Sequence, residues 1–398
     1  MTMDSAIRIK AVGDICPGDK AVMGLGVLDK TKKYGVGFPL ELAKDNLIQS
    51  DLVLGNFEGL LTARTRKKNA NLTFCGLPEI GEALLDAGFG VLNVANNHAF
   101  EHGPEIFNET VNILKNAGLK VCGLRSNSGS FYSEPVIITV RSKKIGILGY
   151  NWVMVDKFKD ADQYIAQSHD SIVNYTWDRD NRKEKDVSTA NIKVIQDIKK
   201  LRQEVDIVIL VAHWAYEFVT IPPYGVTLEA HSFIDAGADL IIGHHPHVLH
   251  GMERYKNGLI FYSLGNFIFD FRNDLPKHTC ILDVMIQQDK NMTYEFHPFY
   301  INKRFQPEPA SSAQERTITT LLDQSNSSIA APDKETLLCD NTIYKRYEDC
   351  YRIGKISTIY HHFRALGEDP AVILVIIKKG ENFMRLLINR LKGKRDRW

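Results

Sequence analysis

The 398-residue sequence has no C-x-x-C pair, and its six cysteines (Cys16, Cys75, Cys122, Cys280, Cys339 and Cys350) are scattered. That argues against a zinc knuckle and a disulfide framework, and a reducing, cytoplasmic setting is expected. An excess of one charge is missing too, since 49 Lys and Arg stand against 48 Asp and Glu. No electrostatic footprint for nucleic acid results, so a nuclease acting on long chains is disfavoured and no nucleic-acid partner is expected. No segment supplies the roughly 20 apolar residues of a spanning helix, and MTMDSAIRIKAVGD lacks the apolar stretch of a secretory signal. Export by the general route is not expected. What is present is an ordinary globular composition, 44% hydrophobic and 24% charged.

From Ile7 to about Ser263 short apolar runs alternate with amphipathic segments, the pattern of βαβ units. Strands are expected over Ile7–Val12, Asp51–Gly55, Val91–Ala95, Lys144–Tyr150, Asp206–Ala212, Asp239–Gly243 and Leu259–Ser263, several of them apolar throughout and so covered on both faces. Helices are expected over Glu79–Gly88, Glu105–Gly118 and Thr189–Gln203, the first two closed by glycine. The pattern predicts a layered α/β domain over residues 1–305, with a polar insertion at about 156–186 that reads first as a solvated loop and second as a substrate lid. Pro, Ser, Gln and Ala then mark a linker over 306–335, followed by a helical, basic extension over 336–398. The tail's basic, partly apolar sequence reads first as a packed helix and second as a surface for peripheral contact with an anionic membrane at its inner face.

Five strands end in groups able to hold a cation: Asp14; Asn56 and Glu58; Asn96, Asn97 and His98; His213; and the run Gly243-His244-His245-Pro246-His247. Each has an ordinary explanation alone, as a turn residue, a surface carboxylate or a buried hydrogen-bonded histidine. In an open α/β sheet, however, residues beyond the carboxyl ends of strands converge on one crevice. Carboxylates, an amide and imidazoles gathered there suit Mn²⁺, Fe²⁺ or Zn²⁺. G-H-H-P-H is the most specific local signal, because the proline restricts His245 and lets His245 and His247 project from a rigid turn. His244 and His250 read as supporting or packing residues.

The ordered blocks AVGD (11–14), DLVLGNFEG (51–59), NVANNHAFEHG (93–103), IGILGY (145–150), AHWAYE (212–217), DAGADLIIGHHPHVLHG (235–251) and YSLGNFIFD (262–270) resemble the CapA family of capsule and poly-γ-glutamate synthesis proteins. That family is similar to calcineurin-like metallophosphoesterases, and the resemblance spans about residues 7–300. It implies a four-layered αββα metallophosphoesterase-like sandwich, here with a C-terminal helical extension, and a site for two divalent metal ions. On that template Asp14 and His247 bind the first metal, and Asn97, His213 and His245 the second. Glu58, or less readily Asn56, bridges them. His98 is the catalytic hydrogen-bond donor or general acid, while Asn56, Asn96, Glu217, His244 and Asn266 are substrate-side or supporting groups. Cys16 stands where the usual D-x-H motif has histidine, and Asn56 and Glu58 replace the usual aspartates, so a weakly held first metal is expected.

Two functions follow. One is metal-dependent hydrolysis of a phosphoester in capsule, poly-γ-glutamate or other extracellular polymer biosynthesis, on a phosphorylated small molecule or an anionic polymer. The other is a non-hydrolytic assembly component that binds the polymer or its synthase.

Overall fold

The computed structural model describes residues 6–19, 26–64, 73–153, 155, 158–168 and 191–331. All lie in the first of two compact units, Met1–Tyr347. The strands are β1 (Ile7–Ile15), β2 (Leu52–Phe57), β3 (Leu60–Leu61), β4 (Cys75–Gly76), β5 (Phe89–Asn93), β6 (Lys120–Cys122), β7 (Val136–Val140), β8 (Lys143–Asn151), β9 (Ile207–His213), β10 (Leu240–His244), β11 (Met252–Tyr255), β12 (Gly258–Phe261), β13 (Asn266–Ile268), β14 (His278–Ile286), β15 (Met292–Ile301) and β16 (Pro307–Pro309). They form a larger sheet in the order β16-β15-β14-β1-β2-β5-β6, with β13 also paired to β1, a second sheet β11-β12-β10-β9-β8-β7, and the small pair β3-β4.

Period-two alternation decides the layering. Ile7, Ile9 and Ala11 of β1 join Leu52, Leu54 and Val91 against Ile145, Ile147, Ile207, Ile209, Leu240 and Ile242 of the second sheet, so one apolar layer fills the space between the sheets. Val12, Ile15, Val53 and Phe89 point the other way, to the helices Ile80–Asp86 and Pro104–Asn116. Leu148, Val208, Leu210 and Ile241 meet the helices Ile192–Leu201 and Tyr224–Ala236. The expected αββα arrangement is observed, and the expected strands and helices are each found within a few residues. Gly88 and Gly118 follow the two outer helices at φ 95° and 100°, a backbone state that glycine reaches without steric cost.

The linker reading fails over residues 307–330. β16 pairs antiparallel with β15, and Ser312–Ala330 is a helix whose Ile318, Leu322 and Ile329 are buried. Ser311 and Gln314 form a reciprocal capping box there, a local signal that the Ser- and Gln-rich composition obscured. Ser325 Oγ and Asn326 Oδ1 accept hydrogen bonds from the Gly251 and Met252 amides at 2.8 Å each, pinning this helix to the chain just beyond the histidine run. Within the polar insertion, Phe158 and Tyr164 pack on Phe100, and Ala161 and residues 165–168 are buried, so part of 158–168 joins the core while Lys159, Asp160 and Gln163 stay exposed. The remainder of the insertion and the extension over 336–398 lie outside the described residues.

Candidate metal centre

β1, β2, β5 and β6 run parallel, as do β8, β9, β10 and β12, and the expected site residues fall at one common edge of these strands. Asp14 and Asn56 are register partners across β1 and β2, and His213 and His244 are partners across β9 and β10. Gly243, just before His244, admits the Tyr262 backbone, because a Cβ there would stand 2.1 Å from the Tyr262 carbonyl oxygen. The chain then turns through His245 and His247 at φ 95° and 57°, with Ala215 and Phe218 opposite at 66° and 63°. Four side-chain-bearing residues with positive φ in two facing turns indicate backbone strain held by the surroundings.

Three groups of donor atoms lie close enough to share a cation: Asp14, Glu58 and His247; Glu58, His213 and His245; and Glu217, His245 and His247. Glu58 belongs to the first two, so one buried carboxylate joins them. Asn97 adds its Oδ1, 2.9 Å from His213 Nε2. Asn56 takes a different position: Nδ2 lies 2.9 Å from Asp14 Oδ1 and 3.2 Å from His213 Nδ1, while Oδ1 accepts from Asn93 Nδ2 at 2.9 Å. Asn96 ties the loop instead, donating to the Phe57 carbonyl at 2.9 Å and accepting from the His98 amide at 3.1 Å. His244 Nδ1 reaches Asp14 Oδ1 at 3.1 Å, and Asn266 Oδ1 reaches His247 Nδ1 at 2.9 Å. His250 is buried apart from the donors, bonded to the Val219 carbonyl at 2.6 Å.

His98 stands at the border of the cluster. Its Nε2 is 3.7 Å from Glu58 Oε1, its Nδ1 is 2.7 Å from Glu101 Oε1, and its ring stacks on Phe74 at 3.9 Å. Asn93 and Glu101 stand in the NVANNHAFEHG block, and Glu101 has the added signal of lying three residues beyond His98, whereas Phe74 comes from a separate loop with no motif to mark it. Glu217, expected as a substrate-side or supporting group, joins a donor group with His245 and His247. Cys16 belongs to none of these groups and sits with Phe74 and Phe269, its Sγ 3.8 Å from the Gly18 carbonyl.

The electrostatics favour cations. Burial opposes charge on Asp14, yet hydrogen bonds from His244 and His247 outweigh it and hold this carboxyl well below the usual carboxylate range. Burial, reinforced by His245, pushes His213 well below the ordinary histidine value, and burial pushes His245 down to about 3. A neutral imidazole is the form that binds a cation. His245 Nδ1 and His247 Nε2 are buried and have no hydrogen-bond partner among the described residues. Carboxylates, neutral imidazoles and unbonded nitrogens make a donor set that fits divalent cations.

The family model of bacterial capsule synthesis protein PGA_cap matches residues 8–271. The chain belongs to this family. It is 29% identical over 314 residues to capsule biosynthesis protein CapA of Bacillus anthracis, covering 78% of this chain and 71% of that protein. It is 27% identical over 319 residues to PGA biosynthesis protein CapA of Bacillus subtilis strain 168, covering 79% and 77%. Among solved structures, a putative 5′-nucleotidase from Staphylococcus aureus is similar with a TM-score of 0.42 and 13% identity, over 80% of this chain and 58% of that one. Every donor residue named above lies within the PGA_cap match.

Proposed function

We propose that this PGA_cap protein hydrolyses a phosphoester that arises during synthesis of an anionic extracellular polymer. The observation that carries this reading is the linkage of Asp14, Glu58 and His247 to His213 and His245 through one carboxylate, with Asn97 beside them. Asp14, Glu58 and His247 would hold one cation, and Glu58, Asn97, His213 and His245 the other. Bound there, divalent cations would neutralise phosphoryl charge and lower the pKa of a water to make it a nucleophile. As the water oxygen, its proton given up to solvent, forms its bond to phosphorus, the bond to the leaving oxygen breaks, and His98, carrying hydrogen on both ring nitrogens, donates the Nε2 proton to that oxygen. Glu101 accepts from Nδ1 and so keeps Nε2 directed at the site. The stacked Phe74 ring restricts His98 to this orientation.

The names of the two Bacillus relatives speak of biosynthesis, which favours a second reading: a component that binds the polymer or its synthase without turnover. Elemental analysis of protein purified without chelator, with a Mn²⁺-supplemented phosphomonoester and phosphodiester assay, separates the two. Hydrolysis predicts bound metal and turnover in the wild type, both abolished in the His245→Ala/His247→Ala variant. Equal rates in wild type and variant would overturn it.

A further inference from the structure

We infer that Asn266 is a positioning residue that fixes the His247 ring with hydrogen on Nδ1, so that Nε2 faces the donor cluster as a bare nitrogen. The amide's own orientation follows from its neighbours. Its Nδ2 lies 3.0 Å from the His247 carbonyl and 2.9 Å from the Pro276 carbonyl, and since both oxygens can only accept, the amide nitrogen must stand there. Oδ1 is thereby turned to His247 Nδ1 at 2.9 Å. An amide oxygen also only accepts, so Nδ1 must carry the hydrogen. Asp14 Oδ2, at 3.3 Å, is a second acceptor for the same N–H.

The nitrogen left over is Nε2, buried, without a hydrogen-bond partner among the described residues, 3.6 Å from Glu58 Oε1 and 4.0 Å from Glu217 Oε1. The partner of one ring nitrogen decides what the other can do, and here that partner is anchored three ways. Asn266 is fully buried, begins β13, and is the register partner of Asp14 across β1. The strand pairing that positions the first donor carboxylate thus also sets the tautomer of the last donor imidazole. Only the use of Nε2 toward a cation rests on the hydrolytic reading; the tautomer rests on the hydrogen bonds alone.

Long-range ¹H–¹⁵N correlation spectra of the metal-free full chain, labelled at histidine and assigned by comparison with His247→Gln, test this directly. The wild type should show the Nδ1–H form for His247. Asn266→Leu should lose that signature and bind Mn²⁺ about 10–100-fold more weakly by calorimetry. An Nε2–H or doubly protonated ring in the wild type would overturn the inference, as would unchanged Mn²⁺ affinity in Asn266→Leu. Should the leucine variant fail to fold, the wild-type spectrum still decides. A wild type that shows Nδ1–H but binds no Mn²⁺ would support the positioning role and sink the hydrolytic reading.

Discussion

β1 carries a charged cluster near each end, partly exposed at its start and buried at its end, and the two are built on different terms. Near its start, Asp283 receives Arg8 Nε at 2.9 Å, Arg8 Nη2 at 2.6 Å and His297 Nε2 at 3.3 Å, with Lys10 Nζ 4.0 Å away. Each charge there faces its opposite, and the backbone is ordinary strand. Near its end, Asp14 sits among histidines of which two nitrogens have no hydrogen-bond partner among the described residues and two residues stand at positive φ. The first cluster is an ion pair closed on itself, whose role is to hold β1 against β14. The second gives up local stability to keep donor atoms convergent, which is how binding and catalytic sites differ from structural ones. The same strand therefore separates what the fold needs from what the chemistry needs.

That contrast can be broken from either side. The largest effect belongs to His98→Ala, which should lower phosphoester turnover by about 10²–10⁴ while leaving the thermal midpoint unchanged; steady-state kinetics beside calorimetry would check both, and undiminished turnover would remove His98 from the mechanism. Asp283→Ala should behave in the opposite way, destabilising the fold by about 3 kcal/mol in urea titration because Lys10 is left buried without its carboxylate, with kinetics unaltered. A loss of activity in folded Asp283→Ala would mean that the two clusters are coupled.

The smallest effect is a pH dependence. Burial pushes His250 down to about 4 from 6.5. Between those values the unfolded chain binds a proton that the native state refuses, so this contribution to stability is full above 6.5 and lost as pH falls toward 4. Denaturation at pH 7.5 and 5.5 should show His250→Gln losing about 1 kcal/mol less than wild type on acidification. An identical pH slope in both proteins would contradict the neutral, buried placement of this ring.

Much of this was legible in the sequence where one period or one motif carried it. The buried parallel strands announced themselves as apolar runs, as in DIVILVA and DLIIG, and the edge at which they end then located Asp14, Glu58, Asn97, His213, His245 and His247 together. Supporting contacts were harder to read. Asn93 reaches Asn56 across neighbouring strands, and Phe74 reaches His98 from a separate loop, so neither pairing has a spacing to betray it. β14 and β15 were not singled out because they form an antiparallel pair with mixed composition, and β15 is half exposed. The helix Ser312–Ala330 was hidden for another reason: its average composition resembles a linker, while its start and its few apolar contacts do not.

That helix has a practical consequence for anyone dividing the chain. The PGA_cap family-model match ends at residue 271, yet Ser325 and Asn326 splint the backbone at Gly251 and Met252, where a Cβ on Gly251 would come 2.3 Å from Asn326 Oδ1. An expression boundary drawn where that match ends would retain every metal-donor candidate and amputate the brace that steadies the exit of their loop.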